Sequence, residues 1–193
     1  MPPAIRDPVA PDDGVSVNVL LSFALSVIFG LMLAELVVAR RNESALLTRG
    51  AVIPRGDVWF GMATVYPLAF VLMGVEGLRW PPGGSGGPNW FAAGLLLLVA
   101  SKALKYWAVW TLGERWTFRI LVLPGAPLVA AGPYRYVTHP NYIAVVGELV
   151  GTAMMMRARI TGPAMTVLFG FVLWARIRFE NRVLEAIRQR QSS

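Results

Sequence analysis

Apolar residues in this chain come in long unbroken stretches, separated by short segments that are polar or rich in proline and glycine. Val15–Ala39 carries one charge, Glu35, in twenty-five residues, and Trp59–Leu78 also carries one, Glu76. Both exceed the ~18 apolar residues that suggest a transmembrane helix. Trp90–Trp110 is a third such run. Tryptophans mark its two ends as an aromatic belt would, and Lys102 and Lys105 sit near its far end, where long stems let the amines snorkel toward the interface. Glu35 and Glu76 fall near the ends of their spans, where interfacial water suffices for them. Between the second and third runs, "RWPPGGSGGPNW" cannot hold a helix and predicts a flexible connector.

Beyond Trp110 the pattern breaks. The thirty-odd residues to Tyr142 are too polar and too rich in proline and glycine to cross a bilayer as a helix, and connectors of that length usually carry function. Ile143–Met156 is apolar but short, about 21 Å of helix against a hydrocarbon core of about 30 Å. A turn over Arg157–Gly162 and a helix from Pro163 through Trp174 complete a hairpin, and "ARIRFENRVLEAIRQRQSS" continues its second arm as an amphipathic segment. The expected fold is all-α: an integral membrane bundle of about five spans, one domain over 1–193, with a disordered 1–14 and the functional half at 111–193.

Composition sharpens this picture. Of 193 residues, 55% are hydrophobic and 15% charged, which fits a multi-pass membrane protein. Met1–Gly14 is proline-rich and acidic, unlike a cleavable signal peptide, so the first span is read as retained. Without cysteine and with one histidine, thiolate or multi-histidine metal sites and cysteine nucleophiles are excluded, and no metal is expected. The net charge of +7 raises nucleic acid as a partner, but its distribution answers otherwise. Segments 40–57, 102–139 and 176–193 together hold fourteen of the eighteen Lys and Arg, which places them on one side, the cytoplasmic side of the cytoplasmic membrane. No nucleic-acid partner is expected; membrane lipids are.

"GPYRYVTHPNY", residues 132–142, concentrates the candidate chemistry and includes the single histidine. Proline after His139 disfavours helix at the histidine and suits the first turn of a helix that follows. Backbone N–H groups exposed there, beside His139, Asn141 and Tyr142, suit an anionic or carboxylate-bearing ligand. The plainer reading is an interfacial belt of tyrosines with a capping residue. Glu148, inside the apolar run, is either functional or partnered by Lys102, Lys105 or a hydroxyl. Arg176 and Glu180 stand four apart on one helical face, the spacing of an ordinary surface ion pair.

"GPYRYVTHPNYIAVVGELVG", followed some forty residues on by "RIRFENRVL", resembles the isoprenylcysteine carboxyl methyltransferase family, whose usual pattern is G-[VP]-Y-x-x-x-R-H-P-x-Y and then R-I-x-x-E-E-x-x-L. "RRNESALLTRGAV" resembles its bacterial branch, so the likeness runs from about Arg40 to Leu184. The resemblance implies a membrane methyltransferase that binds S-adenosylmethionine between the cytoplasmic connector and the last helix, with a lipid-tailed acceptor entering from the bilayer. It implies that Pro127, Leu128 and Val129 line the cofactor's approach, that Tyr134 contacts it, and that His139, Pro140, Asn141 and Tyr142 cradle it. Glu180 would receive a positive group of the cofactor, and Arg176 would face the acceptor, the pair forming the catalytic centre. Methyl transfer mainly needs alignment and a water-poor pocket, which suits a chain with no metal site or nucleophilic thiol.

Two departures bear on the acceptor. Thr138 stands where the family usually has arginine, and Asn181 stands for the second glutamate. The "EN" variant with "LPGAPLV" upstream resembles members linked to alkylpyrones or alkylresorcinols, whose acceptor is an enol or phenol oxygen on a lipid tail. The alternatives are a prenylcysteine carboxyl methyltransferase and a catalytically degenerate protein that holds lipid or cofactor. A transporter would call for paired broken helices in two similar halves, and no such halves are found.

Overall fold

The computed structural model describes residues 13–80, 89–127 and 129–192. The expected disordered start, the Pro/Gly connector over 81–88 and Leu128 fall wholly or largely outside the described residues. Five helices follow in order: α1 (Asp13–Thr48), α2 (Trp59–Arg79), α3 (Trp90–Leu112), α4 (Pro140–Met156) and α5 (Thr161–Ser192). Three of them, over Val17–Thr48, Trp59–Arg79 and Trp90–Arg115, are long and apolar enough to cross a membrane. This is a helical membrane protein. The hairpin forms as expected, its turn made by Arg157 in the left-handed region at φ 49°. Its first arm, α4, is 17 residues long, roughly 25 Å; among the described residues three helices meet the length and apolarity of a span, and the two arms of the hairpin, expected as the fourth and fifth, do not meet both.

What α4 lacks in length it makes up in contact. It packs antiparallel on α3, with glycines letting the two backbones approach. A Cβ added at Gly151 would lie 2.8 Å from the Gly94 carbonyl oxygen, and one at Gly94 would lie 2.5 Å from that of Gly151. Gly147 is closed by Ser101 in the same way. Small residues four apart are how helices gain packing in an apolar solvent that offers no hydrophobic drive between them. On its other side α4 meets α2 and α5 through Phe70, Met73, Leu149, Met156 and Phe169, all buried. Outward, Val19, Phe23, Val27, Leu33 and Val37 of α1 remain exposed, an apolar surface fit for lipid.

Four ionisable residues buried in the bundle, Glu35, Lys102, Lys105 and Glu148, are paired instead of solvated. Lys102 and Lys105 do not snorkel: both are buried, and they meet Glu35 at 2.7 and 2.6 Å and Glu148 at 2.9 and 3.3 Å. Tyr66 adds a hydrogen bond to Glu148 at 2.5 Å. The reason is geometric. α3 turns its lysines inward, where two carboxylates from α1 and α4 neutralise them at less cost than bending the stems to the interface. Glu35 is therefore buried, not solvated. Glu76 is not left to interfacial water either, because its carboxylate accepts from the N–H groups of Ile160 and Thr161 at 3.0 and 2.7 Å and caps α5.

Replacing Gly151 with valine is expected to separate α3 from α4 and cost about 1–3 kcal/mol, read by thermal unfolding in detergent. Gly30→Ala, where an added Cβ meets nothing within 4 Å, should be neutral. Arg55 lies at the connector end and Ile160 at the hairpin turn, both exposed. Single cysteines at these positions should react with an impermeant maleimide from opposite faces of the membrane; labelling from one face would refute a bundle that crosses it.

Candidate active site

Two connectors and the second half of α5 converge beyond the ends of α1–α4. The α1–α2 connector and the long α3–α4 connector pair through an isolated antiparallel bridge, Val52 with Val122, with backbone hydrogen bonds of 2.9 and 3.0 Å. Asn42 donates to the Trp116 carbonyl at 2.9 Å and Arg119 lies 4.6 Å over the Trp59 ring, fastening the long connector to α1 and α2. Gly132, at φ 54°, lets the connector press against Thr111 where a side chain would collide.

Arg176 is the hub. Its guanidinium is buried, with Nη1 paired to Asp57, Nη2 donating to the Phe118 carbonyl at 2.7 Å and Nε donating to the Tyr142 hydroxyl at 3.2 Å. Asp57 is itself fixed, since its two oxygens accept from the N–H groups of Trp59 and Ile120, each at 3.1 Å. The spacing of an i,i+4 pair with Glu180 is present, but no direct pair forms. Tyr142 stands between the two, donating its hydroxyl to Glu180 Oε2 at 2.6 Å. The expected acceptor-facing Arg176 thus lines the cavity with three of its nitrogens already engaged by protein.

The remaining wall comes from the stretch around the histidine. His139 stacks on Tyr142 at 5.2 Å between ring centres, with Nε2 3.0 Å from Asn181 Oδ1 and Nδ1 3.8 Å from Glu180 Oε2. Asn141 turns a buried Oδ1 to a position with no hydrogen-bond partner among the described residues. Burial pushes the Tyr134 hydroxyl above its ordinary range, and the Glu180 carboxylate adds to the shift, so it stays a neutral donor.

These groups enclose a cavity of about 390 Å³, within the range of about 300–1,000 Å³ usual for small-molecule sites. Pro127, Val129, Tyr134, His139, Asn141, Tyr142, Arg176 and Glu180 all line it, together with Thr138 at its rim. Pro140 does not; it is buried as the first residue of α4. The start of α4 also differs from the expected anion site, because the N–H groups of Tyr142 and Ile143 donate to the His139 carbonyl at 3.1 and 3.4 Å. Asp57 was not singled out by the sequence, although an acidic residue just before an apolar run is an ordinary helix-start signal. The Phe118 carbonyl has no sequence signal at all.

Residues 94–186 match the isoprenylcysteine carboxyl methyltransferase (ICMT) family. Among individual relatives, the uncharacterized protein YpbQ of Bacillus subtilis is 30% identical over 152 residues, 79% of this chain and 89% of that one. The chain belongs to the isoprenylcysteine carboxyl methyltransferase family. An uncharacterized protein of Haemophilus influenzae is 24% identical over 169 residues, 85% of this chain and 94% of that one. A probable protein-S-isoprenylcysteine O-methyltransferase of Oryza sativa is 33% identical over 89 residues, 44% of each chain. No solved structure matches the chain. The ICMT match covers most of α3, the long connector, α4 and most of α5, so it contains every cavity-lining residue named above, while Asp57, the partner of Arg176, lies outside it.

Removing the carboxylate that holds Arg176 leaves a buried cation without its partner. Asp57→Ala is expected to lower stability by about 3–5 kcal/mol, and Asp57→Asn, which keeps an acceptor in place, by less. Thermal unfolding of both variants in detergent checks the order; equal stability of wild type and Asp57→Ala would remove the hub role.

Proposed function

We propose that the protein is an S-adenosylmethionine-dependent O-methyltransferase of the membrane, with its cofactor in the cavity beneath α5 and a lipid-tailed acceptor. The observation that carries this reading is the convergence of His139, Asn141, Tyr142 and Glu180 on one cavity at the end of a lipid-facing bundle. The donor set fits the cofactor's chemistry. A carboxylate at Glu180, an unpartnered amide oxygen at Asn141 and the Tyr134 hydroxyl suit an ammonium and a ribose. Apolar residues such as Leu46, Met62 and Val183 suit an adenine ring.

When bound, S-adenosylmethionine supplies an electrophilic methyl group on a sulfonium. The chain's own residues position and shield. Arg176 holds the Tyr142 hydroxyl, and Tyr142 holds the Glu180 carboxylate, so the anion that receives the cofactor stands in one place before the cofactor arrives. The connector, strapped down at Val52 and Trp59, keeps bulk water from the acceptor oxygen. Arg176 acts here by positioning, and Glu180 by direct contact.

For the acceptor we favour an enol or phenol on a lipid tail, of the alkylpyrone or alkylresorcinol kind. Thr138, at the rim, offers no cation to a carboxylate acceptor. The likeness to the rice protein favours a prenylcysteine carboxylate instead. Thr138→Arg should raise activity on prenylcysteine relative to a phenolic lipid. Efficient wild-type methylation of prenylcysteine with none of pyrones or resorcinols would reverse the preference. We read this site as facing the cytoplasm, because twelve of the sixteen Lys and Arg outside the buried Lys102 and Lys105 fall on its side of the bundle.

If Glu180 contacts the cofactor, Glu180→Gln should weaken S-adenosylmethionine binding by about ten- to a hundredfold, or roughly 1.5–3 kcal/mol. His139→Ala should show a similar defect. Calorimetry on folded variants in detergent is the measurement, and unchanged affinity in both would make the pocket assignment wrong.

A further inference from the structure

The hydrogen-bond partners of the single histidine bear on which tautomer its neutral ring adopts. Nε2 of His139 lies 3.0 Å from the amide oxygen of Asn181. An amide oxygen only accepts, so with the Asn181 amide in this orientation Nε2 of the neutral ring carries the hydrogen and Nδ1 bears a lone pair. Among the described residues no donor is bonded to that lone pair. Glu180 Oε2, a carboxylate oxygen, stands 3.8 Å from it, beyond hydrogen-bond reach and already accepting from Tyr142. The His139 side chain is 16% exposed and lines the cavity. A bare basic nitrogen therefore faces the cavity with an anion alongside.

The charged and titratable groups around the ring are few. From α5 come Glu180 and, beyond Tyr142, Arg176 with its Asp57 partner; from α4 comes Tyr142 itself; from the long connector come Tyr134, Arg115 and Arg119, the last already paired with Glu43 at 3.5 Å, and all three line the same cavity. The Arg176 charge is already met by Asp57, and Arg115 is turned to the Pro127 carbonyl at 2.6 Å. Glu180 is the group left to respond to a charge on His139.

Resting on the methyl-transfer reading above, we propose that His139 is the general base of the reaction, taking the acceptor's proton on Nδ1 while Glu180 stabilises the imidazolium. The acceptor oxygen's lone pair forms the new O–CH₃ bond, the S–CH₃ bond breaks with its electron pair passing to sulfur, and the acceptor's O–H proton passes to Nδ1. A sulfonium, a neutral hydroxyl and a neutral imidazole become a thioether, an ether and an imidazolium, so one positive charge is present throughout. The imidazolium then returns its proton to water. This assigns the acceptor class by chemistry: a carboxylate is already ionised near neutral pH and has no proton to give, whereas a phenol or weakly acidic enol does. Asn181 is the positioning residue, because its oxygen sets the tautomer that leaves Nδ1 bare.

With one histidine in the chain, nitrogen-15 NMR of the full-length protein labelled at histidine gives a single ring to read. In detergent micelles without cofactor, at mildly alkaline pH, Nε2 should be protonated and Nδ1 bare. With saturating cofactor, turnover of an alkylresorcinol should fall about tenfold per pH unit on the acid side, and that of a prenylated carboxylic acid should not. His139→Gln should lower phenol turnover by about 10²–10⁴-fold at saturating cofactor. A folded His139→Gln protein that binds cofactor and turns over the phenol at the wild-type rate overturns the proposal. So does an Nδ1–H tautomer in a wild type that binds cofactor, and that result leaves the methyl-transfer reading standing. Absence of cofactor binding in the wild type overturns both.

Discussion

The guanidinium of Arg176 is buried where an apolar bundle meets its polar cap, and a cation in that setting must be matched by acceptors at fixed positions. Each match recruits a different part of the chain. Asp57 draws in the α1–α2 connector, the Phe118 carbonyl draws in the long connector, and the Tyr142 hydroxyl draws in the start of α4. Segments far apart in sequence are thereby held to within one side chain of each other. Glu180 depends on the same arrangement, since Tyr142 links it to Arg176, and His139 in turn is placed beside Glu180.

This gives the protein two solvents and two rules. Within the bundle, helices approach through glycine, as at Gly94 and Gly151, and the two lysines of α3 are buried together with two carboxylates. In the cap, long connectors are held by many polar contacts to one another and to the helix ends, such as Asn42 to Trp116. The cavity lies at the seam. Its lining accordingly joins apolar side chains to a few aimed polar atoms, the composition a small-molecule site needs.

The helices and the polar stretch at 132–142 were legible because each rests on local signals: run length, proline at Pro140, and a charge break at Arg157. The family likeness, carried by two linked motifs, drew the opposed walls of the cavity together before any geometry was known. What local signals could not show was the direction in which charged groups turn. Lys102 and Lys105 read as snorkelling because their stems permit it; the alternative that they partner Glu148 is the one that holds, and Glu35, which read as solvated, joins it in holding them inward. Glu76 read as a solvated end residue, and became a cap only because the hairpin brings Ile160 and Thr161 to it. Arg176 and Glu180 had the spacing of a direct pair, and a tyrosine from another helix came between them. In each case the deciding partner lies more than thirty residues away, where no periodicity reaches.

The four-charge group in the bundle is completed in the order in which a ribosome delivers the helices to the bilayer. α1 enters first with a lone carboxylate at Glu35, and α3 follows with two ammonium groups, so Glu35 can meet both as soon as α3 arrives. One positive charge then remains in excess until α4 brings Glu148. A helix as short and as internally charged as α4 is a poor candidate to insert alone, but the waiting lysines and the glycine-lined face of α3 give it a prepared berth. The part of the chain that begins with His139 and Pro140 is delivered after these, and the helix whose Glu148 balances the charge of the membrane half is the same one whose first turn lines the cavity with Tyr142.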